Sequence, residues 1–121
     1  MTHERLALGR RAEDEAAHWY RARGYVVADR NWRCRDGELD IVAREGETIV
    51  FVEVKTRSSE SFGPAELAVG PRKQARMARA ALLWLRARRL AGPPLRFDVV
   101  CLQGGELRHV RDAFQAPGYT I

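Results

Sequence analysis

Cysteine is scarce in this sequence. Cys34 and Cys101 lie far apart and share no C-x-x-C spacing, so neither a thioredoxin-type redox motif nor a cysteine zinc site is written here. The first residues, Met1-Thr2-His3-Glu4-Arg5, are charged and give no secretory segment. The two thiols are therefore read as reduced, in a cytoplasmic protein. No apolar run approaches the about 20 residues that a membrane span needs, and no membrane partner is expected. His18 has no second histidine at ligand spacing. Internal repeats, low-complexity tracts and linkers are also missing, which leaves residues 1–121 as one domain.

What is present is an ordinary globular balance, with 45% hydrophobic and 31% charged residues. A chain of 121 residues buries roughly 65% of its extended surface, enough for a core without staples. Lysine and arginine number 21 against 16 acids, giving +5 and an isoelectric point near 9.9. That charge favours polyanionic partners, nucleic acid or an anionic membrane surface. An arginine-rich composition also follows from a GC-rich genome, so the charge permits such a partner without identifying it.

The informative stretch is Gly37-Glu38-Leu39-Asp40-Ile41-Val42-Ala43, followed by Ile49-Val50-Phe51-Val52-Glu53-Val54-Lys55. Branched apolar residues bounded by turn formers read as two strands. Alternation puts Ile49, Phe51, Glu53 and Lys55 on one face and Val50, Val52 and Val54 on the other. By the same rule Glu38, Asp40 and Val42 share a face of the preceding strand. A turn at Glu45-Gly46-Glu47 would pair the strands and bring Asp40 beside Glu53. Two readings fit this geometry. One is a salt-bridge cluster capping a sheet, of little energetic consequence. The other is a divalent-metal site, in which two carboxylates hold a hard cation and a lysine stands beside the attacking water.

Asp40 followed by Glu53-Val54-Lys55 resembles the signature of the PD-(D/E)xK, or restriction-endonuclease-like, nucleases. More closely, the chain resembles the YraN family of small bacterial proteins, predicted endonucleases similar to archaeal Holliday-junction resolvases. The resemblance runs through Gly9, Ala12-Glu13, Ala16, Gly24-Tyr25, Asn31, Gly37-Glu38-Leu39-Asp40, Phe51 to Arg57, Phe62-Gly63, Lys73, Arg96 to Val100 and Ala113-Phe114. It departs from the superfamily pattern at Leu39, where the signature has proline. It implies a restriction-endonuclease-like three-layer α/β fold, with a mixed sheet of about five strands flanked by helices in the order α-β-β-β-α-β-β. It also makes Glu13 a further acidic site residue, reaching across from a helix. Asp40, Glu53 and the Val54 carbonyl would hold Mg²⁺ or Mn²⁺, with Lys55 positioning water. The resolvase analogy adds a homodimer.

Along the rest of the chain, a first helix is expected from Thr2 to about Arg23, stopped by Gly24, with Leu8, Ala12, Ala16 and Trp19 inward. Tyr25 to Arg33 reads as the first strand of an antiparallel meander, turned by Arg35-Asp36-Gly37. Residues 56–70 read as a loop beside the site, with a short helical turn starting at Pro64. Arg57 is either a phosphate contact or an ordinary surface arginine. Pro71 to Leu90 reads as a second helix, with Ala75, Ala78, Leu82 and Leu85 inward and Gly92-Pro93-Pro94 ending it. Arg72, Arg76, Arg79 and Arg86 form a basic stripe, either a solubilising surface or a track for backbone phosphates. Lys73 and Gln74 either reach the site or sit on the surface. Trp32 and Trp84 are assigned to packing. Leu95 to Leu102 is expected to lie parallel to the Glu53 strand and to turn at Gly104-Gly105 into a last strand ending at Asp112. Asp98 is given a structural pairing with Arg96 or a helix residue, His109 no role, and Phe114 a place against the core.

Three functions are compatible with this reading. The first is a Mg²⁺-dependent endonuclease acting on DNA, including branched or structured DNA. The second is a non-catalytic nucleic-acid-binding protein that keeps the nuclease fold, and the third an interaction module whose acids are structural.

Overall fold

The computed structural model describes residues 3–57 and 69–115, with side chains from Leu8 onward. Its elements follow the expected order: α1 (His3–Ala22), β1 (Val26–Cys34), β2 (Gly37–Glu45), β3 (Thr48–Arg57), α2 (Pro71–Ala87), β4 (Leu95–Gln103) and β5 (Glu106–Phe114). The five strands form one mixed sheet in sequential order. β1, β2 and β3 make the antiparallel meander, β4 lies parallel to β3, and β5 returns antiparallel. The helical turn expected from Pro64 lies outside the described residues.

Alternation along β3 divides the core in two. Ile49 and Phe51 pack with Met77, Ala80, Ala81, Trp84 and Leu85 of α2, whereas Val50 and Val52 pack with Ala16, Ala17 and Tyr20 of α1. The sheet is thus sandwiched between one helix on each face, which explains why β3 reads as a continuous apolar run. Trp84 packs edge-on to Phe51, Trp32 joins the same cluster, and Phe114 stacks on Phe97; all three are packing residues, as expected. Cys34 and Cys101 are both free thiols.

The helices bury Ala12, Ala16 and Leu85 as the periodicity predicts, but their faces are rotated from the expected stripes. On α1 the buried positions are Ala12, Ala16, Ala17 and Tyr20, while Leu8 is 51% exposed. Tyr20 turns the helix, because its hydroxyl donates to buried Asp98 at 2.7 Å. On α2 the buried set is Met77, Ala80, Ala81, Trp84 and Leu85, and Leu82 is exposed. Here the anchor is Trp84, whose indole N–H reaches Asp29 at 3.1 Å. α2 also stops at Ala87 rather than Leu90: Arg89 adopts a φ of 55°, and the Leu90 N–H closes back on the Leu85 carbonyl at 3.0 Å. Gly92 therefore lies beyond a helix that has already ended.

Candidate metal centre

Pairing between β2 and β3 runs from Glu45↔Thr48 to Ile41↔Val52 and stops there, although β3 continues to Arg57. The next register position would set Asp40 opposite Glu53. Instead of continuing the ladder, the Val54 N–H donates to Asp40 Oδ2 at 2.9 Å. In an extended strand the N–H and C=O of one residue lie on the same edge, so the Val54 carbonyl also faces this opening.

The expected sharing of a face by Glu38, Asp40 and Val42 does not hold. Leu39 and Val42, three residues apart, both enter the α2-side core, while Ile41 enters the α1-side core. Strict alternation forbids that, so the strand slips by one side-chain position between Leu39 and Val42. β1 is irregular alongside, with Asn31 at a φ of 52°. The slip separates Glu38 and Asp40 from Val42 and gathers them with Glu13 of α1; the carboxylate oxygens of the three lie within 4.8 Å of one another. Glu38 joins the candidate cluster beyond the residues expected from sequence, and its signal is the two-residue spacing from Asp40 along a strand.

Glu53 remains on the α2 side of β3 and is 3% exposed. Its Oε2 lies 3.8 Å from Lys55 Nζ and 3.2 Å from Lys73 Nζ, so Lys73, in the first turn of α2, reaches the site. That turn holds no acid, and Arg72 and Lys73 oppose the preference of a helix N-terminus for negative charge. The Glu53 carboxylate accounts for Lys73. Arg72 and Arg76 are exposed on α2. Arg57 is half-buried two residues past Lys55 and has contacts of its own.

Burial, the hydrogen bond shared with Glu53 and the Glu53 charge push the Asp40 carboxyl up to about 8, against a lowering contribution from the Val54 N–H. Burial likewise raises Glu13, opposed by its hydrogen bond with Asn31 and by Arg30. Three carboxylates, Glu13, Glu38 and Asp40, therefore crowd one opening in the sheet, with Glu53 joined to them through Asp40, and Asp40 and Glu13 resist ionisation. All offer hard oxygen donors, the chemistry that Mg²⁺ and Mn²⁺ favour. The donor set fits a divalent ion.

A second buried acid behaves differently. Asp98, in β4, is fully buried. It accepts from Arg96 Nε at 2.9 Å, Tyr20 Oη at 2.7 Å and the Asp112 N–H at 3.0 Å. His109 Nε2 lies 2.8 Å away. The expected pairing with Arg96 and a helix residue is present on both counts. His109, given no role from sequence, belongs to this network: it pairs with Val100 of β4 and its ring lies 4.2 Å from that of Trp19.

Among known families, the model described as "Uncharacterised protein family UPF0102" matches residues 12–102, a span that includes Glu13, Glu38, Asp40, Glu53, Lys55 and Lys73. A UPF0102 protein of Geotalea uraniireducens (strain Rf4) is 45% identical over 114 residues, covering 90% of each chain. One from Bordetella avium (strain 197N) is 47% identical over 115 residues, covering 95% of this chain and 79% of the relative. A third, from Frankia casuarinae, is 49% identical over 113 residues, covering 89% of this chain and 96% of its own. No helix among the described residues is long and apolar enough to cross a membrane. With three quarters of its length matched by the family model, and the site inside that span, the chain belongs to the UPF0102 family, the YraN family of the sequence motifs.

Proposed function

We propose that this protein is a divalent-metal-dependent endonuclease that hydrolyses phosphodiester bonds of DNA, with branched or structured DNA among its substrates. The observation that carries this reading is the convergence of Asp40, Glu53 and Lys55, with Glu13 and Glu38, at the point where β2 leaves β3. Asp40, Glu53 and the Val54 carbonyl would hold the ion, with Glu13 and Glu38 beside them. A bound Mg²⁺ or Mn²⁺ lowers the pKa of water toward neutrality and stabilises charge on the phosphate. The chain's own residues do the rest. The Val54 N–H fixes one Asp40 oxygen and so orients the carboxylate. Lys55, held near Glu53, is placed to orient the attacking water and to face the phosphoryl oxygens. Its role is positional. Lys73 neutralises Glu53, and Arg57, Arg72 and Arg76 supply cationic contacts for backbone phosphates.

The test is cleavage of linear duplex, single-stranded, flap and four-way DNA with Mg²⁺, Mn²⁺ or chelator. Metal-dependent cutting that disappears in Asp40→Asn and Lys55→Ala supports the proposal. No cutting of any substrate with either ion overturns it. One observation favours a non-catalytic DNA-binding protein: Lys55 and Lys73 already give Glu53 two cations without a metal. Salt-sensitive binding without cutting would select that reading.

A further inference from the structure

A cleft of about 220 Å³ opens on the α1 face of the sheet, at the carboxyl ends of β3 and β4. Those two strands are the parallel pair of this sheet, and ligands in α/β sheets gather outside the carboxyl ends of parallel strands. The elements that line the cleft also carry the carboxylate centre. The cleft's Ala12 precedes Glu13, and its Thr56 lies two residues beyond Val54, about 7 Å along the strand.

The walls are of three kinds. Leu8, Ala12 and Leu102 give an apolar surface, and Leu8 is left 51% exposed there. Arg11 and Arg57 are its basic lining residues, and Glu15 and Thr56 its oxygen-bearing ones. The β4–β5 turn contributes bare backbone at Gly104 and Gly105, with φ of 58° and 82°, and a Cβ placed at Gly105 would meet nothing within 4 Å. An apolar wall, arginines and a carboxylate acceptor are what an unstacked nucleobase needs. Guanidinium planes stack on bases and pair with phosphate, and a Glu accepts from an exocyclic amine such as cytosine N4.

Resting on the endonuclease reading above, we propose that this cleft receives one unpaired nucleotide of the DNA strand next to the cleaved phosphate, which makes DNA with an extrahelical or flapped nucleotide the substrate class. Arg11 and Arg57 hold its phosphate, Leu8 and Leu102 cover the base, and Glu15 selects a base carrying an amino group over thymine. Plain duplex cannot fill the cleft without extruding a base and losing its stacking.

The experiment is fluorescence anisotropy in chelator, where binding is read without cleavage. The probes are three labelled DNAs: plain duplex, the same duplex with one bulged cytosine, and the same duplex with one bulged thymine. The wild-type chain is expected to bind the cytosine bulge about tenfold tighter than duplex, with the thymine bulge between them. Leu8→Trp, which fills the cleft from an exposed position, and Arg11→Glu are expected to collapse the bulge-to-duplex ratio to near one, with circular dichroism showing an intact fold. Glu15→Gln is expected to narrow the difference between the two bulges. Equal wild-type affinity for bulge and duplex, or a ratio unchanged in a folded Leu8→Trp, overturns the proposal. The two readings fail separately. A bulge preference without metal-dependent cutting keeps the cleft and removes the nuclease, and cutting without preference does the reverse.

Discussion

Asp40 in β2 and Asp98 in β4 flank the central strand β3, and each sits where a β-ladder is interrupted. Asp40 takes the Val54 N–H beyond the last β2–β3 pair. Asp98 takes the Asp112 N–H at the register shift between β4 and β5. The local backbone device is the same, and the electrostatic outcome is opposite. Burial raises both carboxyls, but around Asp98 the hydrogen bonds with His109, Arg96, the Asp112 N–H and Tyr20 outweigh it and bring the group down to about 2. Around Asp40 the principal neighbours are other acids, and the group goes up to about 8. A carboxylate surrounded by donors on every side has its bonding complete and holds structure together. A carboxylate crowded by other carboxylates is kept short of positive charge, the condition for taking up a cation.

If that contrast is correct, the largest effect belongs to Asp98. Asp98→Ala strands the 6%-exposed Arg96 guanidinium without its principal partner and is expected to cost about 3–5 kcal/mol, the range for breaking a buried ion pair by removing one member. Urea denaturation would read it as a lower midpoint at an unchanged slope. A loss under about 1 kcal/mol would place this network with surface pairs and erase the distinction.

Asp40→Asn should act in the other direction. It removes a charge that burial and Glu53 oppose, so in chelator at pH 8 or above the variant is expected to be more stable by about 1–2 kcal/mol, while metal-dependent cutting falls to the chelator background. A gain of stability with loss of function is the mark of an acid kept for use. The pH dependence follows with a definite sign. Asp40 is raised from 3.8 to about 8, so its protonated form stabilises the fold fully below pH 4 and that contribution is lost as pH climbs through 8. Asp98 is lowered from 3.8 to about 2, so its contribution is complete above pH 4 and is lost as pH falls through 2. Thermal midpoints of the metal-free chain should therefore decline from pH 5 to 8.5. Saturating Mg²⁺, which binds the ionised acids, should flatten the decline, and Asp40→Asn should remove the Asp40 part of it. A slope that is the same with and without Mg²⁺ would dissociate Asp40 from the cation.

Much of this contrast is legible in the amino acids. Alternation along β3 places Glu53 and Lys55 on one face, and the turn at Gly46 brings Asp40 into reach; both are local rules and both hold in the structure. Alternation cannot show where it lapses. The slip between Leu39 and Val42 moves Asp40 and Glu38 toward α1, and nothing in Gly37-Glu38-Leu39-Asp40 announces it, because strand pairing is a non-local event. The helix faces depart in part from the expected stripes for a related reason. Leu8 and Leu82 fit an apolar stripe by spacing, yet Tyr20 and Trp84 set the rotation of their helices through polar contacts with Asp98 and Asp29, partners far off in sequence. His109 is hidden in the same way, since polar neighbours on an edge strand give no hint of the acid beneath it.

The smallest expected effect lies in the lysines that partly relieve the acidic centre. Lys73 is nearer to Glu53 than Lys55 is, at 3.2 against 3.8 Å, and both lysine side chains are more than a third exposed. Solvent screens such pairs, so Lys73→Met should cost only about 0.5–1 kcal/mol in chelator, and Lys55→Met no more. The ion makes the measurement discriminating. If a divalent cation takes over the neutralisation of Glu53, the Lys73→Met deficit should shrink as Mg²⁺ is titrated in, and the variant should bind Mn²⁺ more tightly by calorimetry because a competing cation has gone. A deficit that stays constant across the titration, with unaltered Mn²⁺ affinity, would mean that Lys73 and the ion do not share Glu53, and that this end of the site is an ordinary salt bridge.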